Sequence, residues 1–111
     1  MFTKGDKMKI IMLCNTKIMP GKMAEYMELE KKMFAICDRL GGMPSWRRLN
    51  LLSGKGDLQH TIIYLMEFDN FAAMDKFMKM GENPEFMALM PKWDSVIECH
   101  EHDVYMETPK P

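Results

Sequence analysis

The chain has little of what marks several functional classes. Cysteine is scarce: Cys14, Cys37 and Cys99 are odd in number, far apart and free of any Cys-x-x-Cys pair. That pattern argues against a disulfide framework or a structural zinc site, and for buried, reduced thiols. Charge of one sign is also lacking, with 15 Lys and Arg against 16 Asp and Glu. No basic stripe is available to neutralise a run of phosphates, so nucleic acid is not an expected partner. No apolar run approaches the roughly 20 residues of a membrane span. The opening "MFTKGDKMKI" has no apolar core followed by a small-residue cleavage site. A cytoplasmic protein with no membrane partner is the expectation. There is no nucleophile elbow or Ser-His-Asp order for covalent hydrolysis. "SGKGD", Ser53 to Asp57, joins two strand-like segments rather than opening a helix, so its glycines suit a turn better than a phosphate.

What is present fits one folded domain: 111 residues, 47% of them apolar and 28% charged. Residues 1–7 are expected to be a flexible segment, 8–106 the domain and 107–111 a tail. Methionine is abundant, at 15 positions. Its thioether on rotatable bonds either fills core gaps in place of Leu or adapts a pocket to apolar ligands. Met74, Met78 and Met80 offer soft ligands for copper(I), but they fall on a helix-like stretch among other apolar residues.

Residues 8–18, "MKIIMLCNTKI", form a β-branched apolar run that "MPGK" stops. From Met23 the period changes. Tyr26, Leu29, Met33, Ile36 and Leu40 recur at helical steps, with Glu25, Glu28, Lys31, Lys32 and Asp38 opposite, until Gly41 and Gly42 end the helix. "MPSWRRLNLL" and "LQHTIIYLMEF" then predict a hairpin across the glycine loop. "DNFAAMDKFMKM" predicts a second helix capped by Asp69 or Asn70. "NPEFMALMPKW" adds a short helical turn begun near Pro84 and ended by Pro91, and "WDSVIECHEHDVYME" is the last strand.

The order β-α-β-β-α-β predicts an α+β, ferredoxin-like fold: one antiparallel sheet with both helices on one face. Yet the strands are apolar on both faces. Ile11 and Leu13 oppose Met12 and Cys14, and Ile63 and Leu65 oppose Ile62, Tyr64 and Met66. A face that no helix covers is expected to pack on a second copy, giving a homodimer.

"KIMPGKMAEYMEL" resembles the strand, Pro-Gly-Lys turn and helix of NIPSNAP-like chains, and "GDLQHTIIYLMEFDNFAAMDKF" resembles their third strand entering a helix. Over residues 9 to 105 the chain is similar to the dimeric α/β barrels, which include the antibiotic-biosynthesis and haem-degrading monooxygenases. Activities in that group run from oxygenation to isomerisation, dehydration and no known catalysis, so the fold selects no single reaction. Haem-degrading members carry an Asn on the first strand, a Trp on the second helix and a His further along. Asn15 matches the first of these. The stretch "MDKFMKMGENPEFMALMPKW" has no histidine, and its tryptophan, Trp93, lies at the far end. No cofactor is therefore expected.

The resemblance implies a ligand cavity between helices and sheet, and a cofactor-independent enzyme, such as a monooxygenase, acting on a small apolar or aromatic molecule. The alternative is a non-catalytic ligand-binding or interaction protein. Alternation places His60, Ile62, Tyr64, Met66 and Phe68 on one side of the third strand, and Trp46, Arg48, Asn50 and Leu52 together on the second. His60 is the candidate acid or base, or else a half-solvated residue at a strand end. Tyr64 shares its face and is alternatively a core aromatic with a satisfied hydroxyl. Arg48 is suited to an anionic or enolate oxygen. Asn15 is a contact for oxygen or substrate, or a structural amide. Trp46 and Trp93 line the pocket or belong to the core.

"ECHEHD" sets His100 and His102 about 6.5 to 7 Å apart on one strand face, from which two imidazoles can converge on an ion. Glu98 is a further step away, and zinc needs a third ligand. Val96 and Val104 share the histidine face, with Ile97, Cys99 and Tyr105 opposite. The histidine face is expected to turn away from the helices, toward the dimer or its rim, and to hold no metal.

Overall fold

The computed structural model describes residues 9–109. The expected N-terminal segment 1–7 and the last two residues of the tail lie outside them. The described chain forms β1 (Ile10–Ile18), α1 (Met23–Arg39), β2 (Ser45–Asn50), β3 (Thr61–Phe68), α2 (Phe71–Lys79), a 3-10 turn (Met80–Glu82), α3 (Pro84–Met87), α4 (Met90–Val96) and β4 (Ile97–Met106). The strands make one sheet in the order β2-β3-β1-β4, with every neighbouring pair antiparallel. This is the α+β, ferredoxin-like arrangement.

The buried stripe of α1 is rotated from the expected one. Tyr26, Leu29, Glu30, Met33 and Cys37 are buried, whereas Leu40 is exposed and Ile36 only half-buried. Tyr26, Glu30, Met33 and Cys37 follow i, i+4, i+7 and i+11, the spacing of one helix face. A carboxylate therefore sits inside. Gly41, in the left-handed region at φ 72, turns the chain out of the helix, with its N–H on the Asp38 carbonyl at 3.0 Å.

β3 begins at Thr61, three residues later than expected, because Asp57 organises a turn ahead of it. Its carboxylate accepts from the Gln59 N–H at 2.9 Å and meets His60 Nδ1 at 2.7 Å. His60 is thus a turn residue and does not share a strand face with Tyr64. Asn70 alone caps α2, accepting the Ala73 N–H at 2.8 Å. The expected single helical turn is two helices: Pro84 opens α3, and Pro91 lies in the first turn of α4 instead of ending a helix. Proline suits that position because its missing N–H has no intrahelical partner there. Trp93 and Val96 consequently belong to α4, and the last strand starts only at Ile97.

Ile10, Met12, Cys14, Thr16 and Ile18 of β1 are buried under the helices with Ile62, Tyr64, Met66 and Phe68 of β3. Burial of each such aliphatic side chain stabilises the fold by about 1.5–3 kcal/mol. In the β1–β4 register Thr16 lies opposite His100, Cys14 opposite His102 and Met12 opposite Val104. Directly paired residues share a face, so His100 and His102 turn toward the helices, contrary to the expectation. Cys99 takes the other side and is exposed, whereas Cys14 and Cys37 are buried as expected. The uncovered face carries Ile11, Leu13, Ile63 and Leu65, all half-buried.

Candidate functional site

Between the sheet and the helices lies a cavity of about 310 Å³, within the size range of small-molecule sites. Its walls include Met12, Met33, Met66, Met78, Met80 and Met90, contributed by two strands, α1 and the α2–α4 region. Phe34, Phe77, Phe86 and Trp93 add aromatic surface. A thioether lining adapts its shape to the occupant at little cost.

Against this apolar wall stands one connected polar group. The Tyr64 hydroxyl donates to Glu30 Oε2 and also bonds the Tyr26 hydroxyl. Arg48 grips the same carboxylate with two nitrogens, Nη2 on Oε1 and Nε on Oε2, the latter at 3.2 Å. β2 lies beside β3 with Arg48 opposite Tyr64, which brings the guanidinium over α1. A buried carboxylate is tolerable only when paired and hydrogen-bonded, and Glu30 has three such bonds. Burial pushes the Tyr26 hydroxyl up to about 12. It raises Tyr64 further, with Tyr26 adding to the effect. Both phenols are protonated at neutral pH. The Cys14 thiol, also on the wall, is pushed up to about 11 by burial, and Cys37 is raised for the same reason. Neither is a ready nucleophile.

The histidines border the same cavity from β4, on the far side of β1 from Tyr64, and both are exposed. His100 Nδ1 lies 2.9 Å from the hydroxyl of Thr16, which is fully buried. The His100 ring meets Trp93 edge-on at 5.2 Å between centroids and lies 6.1 Å from that of His102. Trp93 is also 6.2 Å from Tyr26, so its ring lies near both polar groups. Burial, and then the neighbouring His102, hold the His100 pKa below its usual value. His100 is therefore a neutral imidazole at pH 7. With Nδ1 engaged by Thr16, Nε2 is left for an occupant.

Of the residues singled out in the sequence, Tyr64 lines the cavity and Arg48 stands behind Glu30. Asn15 is exposed on the opposite face of the sheet, and His60 lies in its turn with Asp57; neither reaches the cavity. Trp93 lines it, while Trp46 packs edge-on to Phe34 at 4.7 Å. Tyr26, Glu30, Thr16 and His100 were not anticipated there. For Glu30 the signal was available: it is four residues after Tyr26 on the helix stripe. Among the described residues no cluster of three or more His, Cys, Asp or Glu is placed to hold a metal ion.

No protein-family model matches the sequence, and no curated protein does. Solved structures do match in shape. A NIPSNAP family protein from Agrobacterium tumefaciens aligns over 96% of this chain and 92% of its own, with TM-score 0.69 and 21% identity. The chain has the NIPSNAP-type, ferredoxin-like fold. An uncharacterised NIPSNAP domain protein from Burkholderia xenovorans aligns over 89% of this chain and 94% of its own, with TM-score 0.70 and 15% identity. SnoaB, a cofactor-independent oxygenase from Streptomyces nogalater, aligns over 92% and 95% respectively, with TM-score 0.65 and 12% identity. At these identities the likeness is one of fold.

Proposed function

We propose that this protein binds a small, largely apolar or aromatic molecule in the methionine-lined cavity and acts on it as a cofactor-independent enzyme of the monooxygenase kind. The observation that carries this reading is that one apolar cavity is bordered by two separate polar groups: the Tyr26–Tyr64–Glu30–Arg48 network and the neutral His100. Oxygenation without a cofactor requires a base that converts the substrate to an electron-rich anion able to reduce oxygen directly. His100 is suited to that task because its free nitrogen is unprotonated at neutral pH and its ring is oriented through Thr16. Tyr64 lines the cavity, with Arg48 acting on it through Glu30, and the methionine and aromatic lining supplies apolar contact for the ring. His60 and Asn15 have no part in this reading. The shared fold of an oxygenase described as cofactor-independent supports it.

The half-buried face with Ile11, Leu13, Ile63 and Leu65 is proposed to meet a second copy of the chain, in a cytoplasmic homodimer. A second functional reading, binding without catalysis, is favoured by one feature: the charges of Glu30 and Arg48 beside Tyr64 already neutralise each other.

Oxygen uptake with a panel of phenols, naphthols and hydroquinones tests the enzyme. Uptake above the buffer rate that His100→Asn removes supports it. Tight binding without uptake leaves the binding protein, and native mass spectrometry of freshly purified material shows what co-purifies.

A further inference from the structure

The hydrogens of the tyrosine wall run in one direction. Arg48 is a permanent cation, and its two contacts hold Glu30 as a carboxylate, which accepts hydrogen bonds and donates none. Glu30 Oε2 also lies within bonding reach of the Tyr64 hydroxyl, and two oxygens that close require a proton between them. That proton is the single one Tyr64 has. Tyr64 therefore cannot donate to Tyr26, and in the bond between the two hydroxyls Tyr26 is the donor. The order is Tyr26 to Tyr64 to Glu30, with Arg48 holding the far end.

The consequence falls on Tyr26. Its only proton is committed inward, and its oxygen keeps unused acceptor capacity. Among the described residues no donor is hydrogen-bonded to that oxygen, although Tyr26 is 2% exposed and lines the cavity. A phenol usually serves as a donor to a ligand carbonyl or oxyanion; here the chain behind it reverses that role. From this direction, and resting on the cavity being a ligand site, we propose that the site selects molecules that donate a hydrogen bond at their buried end. The class is a flat aromatic with a phenol or enol hydroxyl, or a ring N–H, and that donor goes to Tyr26 Oη; it is a different hydrogen from the one His100 removes, which lies at the other end of the molecule. The corresponding ketones, ethers and carboxylates offer Tyr26 only lone pairs or negative charge against a lone pair, and are rejected. A site built to pair a polar hydrogen discriminates strongly against the analogue lacking it, since an acceptor is then left unmet.

The test is a matched pair, 1-naphthol and 1-methoxynaphthalene, titrated calorimetrically into the full chain near pH 7. The expected result is that the naphthol binds at least about tenfold more tightly, and that the preference disappears in Tyr26→Phe. A preference that survives in Tyr26→Phe reflects the bulk of the added methyl and overturns the proposal. Tyr64→Phe supplies a second arm should Tyr26→Phe not fold. It releases the Tyr26 proton toward the cavity, so the ether should gain on the naphthol relative to the parent chain, and an unchanged ratio counts against the inferred direction. Equal binding of both probes to the parent chain overturns donor selection while leaving the cavity a ligand site. Binding of neither overturns both this proposal and the reading on which it rests.

Discussion

Glu30 and Arg48 have unequal access to water: their side chains are 6% and 35% exposed. Removing one is therefore not equivalent to removing the other. Arg48→Met strips the counter-charge from a buried carboxylate and is expected to destabilise the fold by about 2–3 kcal/mol, below the range for a fully buried pair because the guanidinium is partly solvated. Glu30→Leu combined with Arg48→Met should recover much of that loss, since no buried charge remains. Urea unfolding of the two variants and the parent decides it, and a double variant less stable than Arg48→Met contradicts the account. Tyr26 carries a pH prediction. Its ionisation is pushed from 10.0 up to about 12 by burial, so as pH rises the unfolded chain loses this proton first and binds fewer protons than the native state. The stability that Tyr26 contributes is complete below about pH 10 and is lost between about pH 10 and 12. The melting temperature should fall across that interval, and fall less in Tyr26→Phe; identical slopes would show that other groups govern alkaline unfolding.

Most elements follow from local chemistry, and the exceptions have local causes of a different kind. Asn70 ends the extended chain after β3 and caps α2 through the Ala73 N–H. α2 has no fully buried residue to anchor it, so its cap should carry an unusual share of its stability. Asn70→Ala is expected to cost about 1 kcal/mol, read as a lower urea midpoint with an unchanged slope. Asn70→Asp, which keeps the acceptor, should cost little. The hairpin and both main helices were legible from period and punctuation. The late start of β3 was not, because "LQH" continues the alternating pattern while Asp57 uses its side chain to hold those residues in a turn. Pro91 reads as the end of a helical turn for a similar reason, since proline both ends one helix and opens the next, and here it opens α4.

At the scale of the molecule, the uncovered sheet face makes the homodimer testable. Leu13→Asp or Leu65→Glu places a charge among Ile11 and Ile63, and either variant should sediment as a monomer at micromolar concentration while the parent sediments as a dimer. A monomeric parent removes the proposal. A change confined to that face should leave the melting of the helix-covered core closer to the parent than Arg48→Met does. Period-two and period-3.6 patterning determined the strands, the helices and the α+β order, because each is a property of neighbours along the chain. The same alternation established that His100 and His102 share a face of β4, but the face was expected to turn away from the helices and does the reverse. That was decided by β4 pairing with β1 so that Thr16 meets His100 across 84 positions of sequence. Tyr26, Glu30, Arg48 and Tyr64 likewise come from α1, β2 and β3, and only the packing of that helix over those strands makes one network of them. Local sequence encodes which way a side chain points relative to its own backbone; what it points at depends on register and packing between distant segments, and those exist only in the folded chain.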